Sequence, residues 1–196
     1  MTLLEVLTRA RTFGFLGPGP VEDHLDHAAG FLEALRPVEG RVVDLGSGGG
    51  VPGLIIAVER PDLELVLVDA TAKRCRFLEE AVEQLGLRAT VVEGRAEVVG
   101  RGPLRGSAAA VVARSFGPPS PTAECGAPLL RVGGILVVSE PPSGEERWPA
   151  GPVRQLGLVP RQRTATTPVM QVLEQERPCP ETYPRRDGVP AKRPLF

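Results

Sequence analysis

No two cysteines in this sequence are spaced to hold a metal, and the three that occur, Cys75, Cys125 and Cys179, form no C-x-x-C pair. A small, odd count fits reduced cytosolic thiols better than a disulfide framework. Cys125 is expected as a small buried residue, and Cys179, between prolines, as a surface thiol. Long apolar runs are missing too. No stretch approaches the roughly 20 residues of a membrane span, and Glu5 interrupts the N-terminus early, which argues against a signal peptide. The expected location is the cytoplasm. Neither charge is in excess: the net charge is −1 and the pI near 6.2, so a general polyanion-binding surface is not indicated, although a local basic patch is compatible. There is no Ser-His-Asp arrangement, no cysteine-nucleophile motif and no Asn-Pro-Pro-Tyr after the fourth predicted strand. The two histidines, His24 and His27, lie three apart in "EDHLDH". A metal would need a further ligand there, so they read as helix-surface or cofactor-side residues and no metal is expected.

What is present is a regular alternation. Glycine (23) and proline (21) are plentiful, but they punctuate well-formed apolar segments and fall short of a disordered composition. Leu3 to Thr12 predicts a helix with Leu3, Val6, Leu7 and Ala10 on one side, broken by "GFLGPGP". Val21 to Leu35 predicts a second, with Leu25, Leu32 and Leu35 inward. Then follow "RVVDL" as a strand and a helix carrying Val51, Leu54, Ile55 and Val58, with Pro52 in its first turn. "LELVLVD" is the next strand, and Ala72 to Leu85 a helix burying Cys75, Leu78, Val82 and Leu85. Further strands are "RATVVEG", "SAAAVVARS" and "GGILVVSE", the last after helix-like "TAECGAPLLR". Such spacing implies right-handed βαβ units and a mostly parallel sheet covered on both faces. "GLVPRQRTA" and "PVMQVLEQE" read as a closing antiparallel pair, and the proline-rich tail as extended. A single domain over 1–196 is expected: a helical segment 1–36, an α/β core 37–176 and a basic tail 177–196.

The stretch "RVVDLGSGGGVPG" carries the chemistry, with five glycines between Gly46 and Gly53. Gly48 to Gly53 satisfies the G-x-G-x-x-G spacing of dinucleotide sites. A pyrophosphate, however, wants free N–H donors and no carboxylate. Asp44 stands just before the glycines, and Pro52 removes one N–H. S-adenosylmethionine has no phosphate, a sulfonium and an α-ammonium group, so a carboxylate beside the loop favours it. Ligands bind beyond the carboxyl ends of parallel strands, where Asp44, Asp69 and Glu97 follow three successive strands. Asp69, 19 residues beyond Gly50, suits ribose hydroxyls. Glu97 or the backbone of Ala96 is expected at the adenine edge. The cofactor set is thus Asp44, Gly46, Ser47, Gly48, Gly50, Gly53, Asp69, Ala96, Glu97 and Arg114. Arg114 ends an apolar strand on the ligand side and needs a partner.

From Asp44 through Pro52-Gly53, the acid before the Lys73-Arg74 helix, "GRAE" (Gly94–Glu97), Arg114 and the tail "YPRRDGVPAKRPL", the sequence resembles one family. It is the bacterial small-subunit ribosomal RNA methyltransferase G family, also called glucose-inhibited division protein B. The resemblance is close over Arg41 to Arg114 and again over Tyr183 to Leu195. It implies a class I, Rossmann-like α/β methyltransferase fold and transfer of a methyl group from S-adenosylmethionine to N7 of a guanine in 16S ribosomal RNA. The RNA is met free or in the small subunit. N7 carries a lone pair and no proton, so positioning in line with the donor suffices without a general base. Substrate-positioning candidates are then Arg114, Lys73 and Phe116, the last stacking on a base. RNA-phosphate candidates are Arg74, Arg185, Arg186, Lys192 and Arg193. Lys73 and Arg74 also read as a solvated helix face, and Phe116 as core. The family's Trp-Asn…Asn-Leu-Thr element is not matched, and "HLDHAAGF" only loosely echoes its His-x-x-Asp-Ser. A small-molecule methyltransferase and a non-catalytic nucleotide-sensing module are the alternatives on the same fold.

Overall fold

The computed structural model describes residues 1–142, 146–164 and 167–196. Helix α1 (Leu3–Thr12) starts on a reciprocal cap, the Thr2 hydroxyl accepting from the Glu5 N–H while the Glu5 carboxylate accepts from the Thr2 N–H. The connection after it leads to α2 (Val21–Ala34). Then come β1 (Arg41–Leu45), α3 (Gly53–Glu59), β2 (Glu64–Asp69), α4 (Ala72–Gln84), β3 (Ala89–Glu93), α5 (Ala96–Val99) and β4 (Ala108–Ala113). Helix α6 (Pro119–Gly126) and a 3₁₀ turn (Ala127–Leu129) lead into β5 (Leu130–Glu140). The chain closes with α7 (Ala150–Arg154), β6 (Leu158–Arg163), β7 (Val169–Gln175) and α8 (Val189–Lys192).

One seven-stranded sheet runs in the order β3-β2-β1-β4-β5-β7-β6. β3 to β5 are parallel to one another, and β7 pairs antiparallel with both β5 and β6. Alternation along the pleat sends Val43 and Leu45 of β1 to one face and Val42 and Asp44 to the other. On the first face Val66, Val68, Val111 and Leu136 meet α5, α6 and α7. On the second, Phe31, Ile56 and Ala57 pack over Val42 and Val112, while Val6, Phe77 and Leu78 pack over Leu67. Both faces are therefore covered, as the near-continuous apolar strands require. The topology gathers the carboxyl ends of β1, β2 and β4 at one edge, with the loops that follow them.

Five expectations need correcting. The buried stripe of α2 is Val21, His24, Ala28 and Phe31, with Leu35 just beyond; Leu25 and Leu32 are only half-buried. The helix turns its histidine, not its leucines, toward the strand ends. On α4, Phe77 and Ala81 are buried beside Cys75 and Leu78, whereas Val82 and Leu85 are half-buried. Pro52 caps α3 rather than lying in its first turn. The tail is not free and extended: it carries α8 and is bound to the core. Arg105 donates to the carbonyls of Cys179, Pro180 and Tyr183, and Arg101 to that of Pro184. Docking of the tail also makes Cys179 a buried residue rather than a surface thiol, its pKa pushed up by burial to about 12. The closing antiparallel pair forms as β6 and β7, and Ala165, the last residue of the first predicted strand, lies outside the described residues.

Candidate functional site

The loop from Gly46 to Gly53 leaves β1 in a turn that only glycine takes easily, with φ of 78° at Gly46 and 56° at Gly48. Most of its glycines are explained by the protein's own packing. A Cβ at Gly46 would press on the Phe116 ring at 2.8 Å, and one at Gly49 on Leu16 at 2.6 Å. At Gly50 it would meet Leu54, and at Gly53 the Asp44 carboxylate and Leu67. At Gly48 alone among the five a Cβ would meet no clash, its nearest atoms being backbone oxygens of Gly46 and Phe15 in ordinary contact at 3.8 Å. The loop is thus held tightly from behind and presents its Gly48 side outward.

Two acids fix it. Asp44 is buried, and its Oδ2 accepts from the Gly53 N–H at 3.0 Å. Its Oδ1 has no hydrogen-bond partner among the described residues. Burial, reinforced by the nearby Asp69 charge and opposed by Ser47, Gly53 and Arg114, pushes the Asp44 carboxyl up to about 7. Asp69, also buried, reaches back across the sheet edge to accept from the Gly48 N–H at 2.9 Å, and from the Thr71 N–H at 2.9 Å. Arg74 stands 3.7 Å from the same carboxylate.

In front of the loop lie two adjoining hollows, each of about 200 Å³, which share Gly46, Arg74 and Ser115. The first is walled by Phe15, Leu16, Gly48 and Arg114, the second by Asp69, Thr71, Ala96 and Phe116. Ser115 holds a left-handed backbone, φ 53°, unusual for a residue other than glycine. This turn sends Arg114 and Phe116 into different hollows. Arg114 has found its partner: one Nη lies 2.7 Å from His24 Nδ1. Because a guanidinium only donates, His24 Nδ1 must accept, which makes the imidazole neutral with its proton on Nε2. Burial and then the Arg114 charge hold His24 below the ordinary histidine pKa, and the same two causes lower His27, which meets Ser139 at 3.0 Å. Burial also lowers the Arg114 pKa, opposed by Asp44. Among the described residues no cluster of three or more His, Cys, Asp or Glu is arranged to hold a metal ion.

The sequence-derived residues thus divide. Asp44, Gly46, Ser47, Gly48, Asp69, Arg74, Ala96, Arg114 and Phe116 gather at or beneath the hollows. Gly50 and Gly53 lie behind the loop. Glu97 points elsewhere: its carboxylate accepts from the Gly188 N–H at 3.0 Å and so anchors the tail, because the neighbour of Ala96 on a helix faces a different side. Arg185 is engaged as well, gripping the fully buried Glu124 through two side-chain bonds of 2.8 and 2.6 Å. Arg186, Lys192 and Arg193 are exposed on the tail. Lys73 is exposed above the rings of Phe13 and Phe15 and makes no ion pair among the described residues. Sequence reasoning missed Phe15, Leu16 and Ser115. "GFLGPGP" read only as a break; the signal in it was a pair of large apolar residues with no regular element to carry them.

The donor set suits a cationic, two-part ligand. An orphaned buried carboxylate oxygen lies beneath a glycine cradle and a second acid lines the rim, so a pyrophosphate in the hollows would meet the Asp69 carboxylate with the Asp44 group behind the loop.

Comparison with known proteins agrees. A family model described as rRNA small subunit methyltransferase G matches residues 18–147. A protein of Deinococcus radiodurans named ribosomal RNA small subunit methyltransferase G is 40% identical, over 85% of this chain and 73% of the relative. One of Rubrobacter xylanophilus with the same name is 38% identical, over 98% of this chain and 80% of the relative. Among solved structures, the antibiotic-resistance methyltransferase Kmr superposes with a TM-score of 0.55 at 20% identity, covering 74% of this chain and 90% of the other. A hypothetical protein of Thermus thermophilus superposes with 0.56 at 23% identity, covering 81% and 87%. These structures share the Rossmann-like methyltransferase fold.

Proposed function

Because this chain belongs to the rRNA small subunit methyltransferase G family, we propose that it methylates N7 of a guanine in 16S ribosomal RNA, with S-adenosylmethionine as donor. Residues 1–196 act as one methyltransferase domain, on RNA met in the cytoplasm free or within the small subunit. The observation that carries the cofactor reading is the unpartnered Asp44 oxygen beneath the glycine loop, beside two hollows that share one rim. When bound, the cofactor supplies an electrophilic methyl group on a sulfonium centre. Asp44 supplies negative charge where the ligand is positive, the Gly46–Gly48 backbone a surface without side chains, Asp69 acceptors for hydroxyls, and Ala96 an apolar wall. Arg114, held by His24, and Phe116 stand on either side of Ser115 and orient the incoming base. Guanine N7 brings its own lone pair, so no side chain has to take a proton, in keeping with a site whose two nearby histidines have lowered pKa values. In-line positioning is the catalytic contribution asked of the protein.

The test has two arms. In calorimetry adenosylhomocysteine is expected to bind and NAD not to bind, with Asp44→Ala weakening the first by about 100-fold or more. In nucleoside analysis, 16S RNA from cells lacking the gene loses one 7-methylguanosine, and purified protein restores it. Tight NAD binding without adenosylhomocysteine binding overturns the cofactor. Unchanged 7-methylguanosine together with methylation of a metabolite overturns the substrate.

A further inference from the structure

The sequence has six phenylalanines, and three of them meet in a cluster of which Phe15 lines the first hollow. Phe13 and Phe15, in the α1–α2 connection, have ring centroids 5.7 Å apart. Phe77 of α4 stands edge-on to both, at 6.1 and 5.5 Å. Phe77 is buried and Phe15 lines the hollow, but Phe13 is 47% exposed. Cations surround the rings. Lys73 Nζ lies 5.9 Å from Phe13 and 5.4 Å from Phe15, and the Arg74 guanidinium 6.0 Å from Phe15. The Arg9 guanidinium is 5.8 Å from Phe13 and 5.6 Å from Phe77, tied down by Glu80 and Gln84.

An exposed ring among cations is the composition that receives single-stranded nucleic acid: bases stack on the aromatic face while ammonium and guanidinium groups meet phosphate. A shield for the core alone would not need Phe13, because Phe15 and Phe77 already close the space between α1 and α4. Lys73 stands over two of the rings and makes no ion pair among the described residues. Position adds the third argument. Arg74 belongs to this cluster and to both hollows, so the surface runs without a break from solvent to the site.

We propose that Phe13, with Lys73 and Arg74, forms the entry surface for a single-stranded RNA segment: a base adjoining the target stacks on Phe13, and Lys73 contacts the phosphate beside it. The inference rests on the RNA reading above and adds the face by which RNA approaches. In this assignment the α1–α2 connection is a wall of the cofactor site on its inner side and an RNA platform on its outer side.

The test uses the full chain with small ribosomal subunits lacking the modification as substrate, and radiolabelled S-adenosylmethionine. Phe13→Ala is expected to raise KM for RNA about tenfold, while kcat, adenosylhomocysteine affinity and the melting temperature stay close to wild type. Phe13→Tyr retains the wild-type KM; Phe13→Leu, apolar but unable to stack, behaves like Phe13→Ala. The surface assignment is overturned if Phe13→Ala leaves KM unchanged, or if Phe13→Leu restores it as well as Phe13→Tyr, since packing would then be the whole role. A wild-type protein that binds adenosylhomocysteine yet methylates no RNA would overturn the functional reading itself. Methylation by the wild type with an indifferent Phe13 would overturn the entry surface alone.

Discussion

The aromatic cluster around Phe13 and the C-terminal tail both gather arginines and lysines near the edge where the parallel strands end, yet they hold them differently. In the tail Arg185 turns inward, while Arg186, Lys192 and Arg193 stay exposed. Arg185 grips buried Glu124, and Asp187 pairs with Arg95 at 2.7 Å. Arg105, from the core, reaches out to three tail carbonyls. Around Phe13 the cations face aromatic rings: Arg9 is held by Glu80 and Arg74 stands 3.7 Å from Asp69, but Lys73 has no acid to hold it among the described residues. Counting basic residues would rank the tail as the RNA surface. Tracing each charge to its partner removes Arg185 from that count, because a guanidinium already satisfied by a buried carboxylate has few donors left for phosphate. What sets the other surface apart is the pair of rings beside Lys73.

The largest effect that can break this contrast is on stability. Arg185→Ala leaves Glu124 buried without its partner and is expected to cost about 3 to 5 kcal/mol in a urea melt; a loss near zero would make the tail's arginine available after all. Next is Asp44, beneath the loop between the two segments. Its folded pKa near 7 lies above the unfolded value of 3.8, so the folded state holds a proton that the unfolded state releases. Stability from this group therefore falls as pH rises from about 4 to about 7, and the cost is complete above that. Asp44→Asn still accepts from Gly53, and is expected to raise stability by on the order of 4 kcal/mol at about pH 8 and by little near pH 4, read by thermal melts at the two pH values. The smallest stability effect is the sharpest for the comparison. Lys73→Gln and the pair Lys192→Ala/Arg193→Ala should each leave the melt within about 0.5 kcal/mol of wild type. Only Lys73→Gln is expected to reduce the slope of log affinity against log salt for RNA by about one.

The order of elements was legible because each strand is a near-continuous apolar run bounded by Gly, Pro or Asp, and each helix repeats its apolar positions at three and four. Asp44, Asp69 and Arg114 were legible for a similar reason: a charge ending an apolar strand has few structural uses. What escaped was anything decided by long-range partners. The tail's prolines and arginines look like those of an extended segment until Arg105 and Glu124 are seen to receive it. Glu97 read as a ligand to the adenine because it follows the third strand, while its direction depends on one step around a helix. His24 gave no sign that it would be the partner Arg114 required, because the two are 90 residues apart. Phe15 and Leu16 sat in a stretch whose glycines and prolines drew attention away from them.

The contact between Gly53 and Asp44 has a further consequence. A Cβ at position 53 would occupy the place of the Asp44 carboxylate, and the Gly53 N–H is the donor that carboxylate accepts from. The two positions therefore form a single heritable character. A lineage that enlarges residue 53 has to shorten or lose the acid at 44 in the same step, and a lineage that keeps the acid is confined to glycine nine residues later. In an alignment of relatives the pair should change together or not at all, and a chain in which the glycine has been replaced beneath a retained aspartate would mark a loop that leaves β1 along a different path.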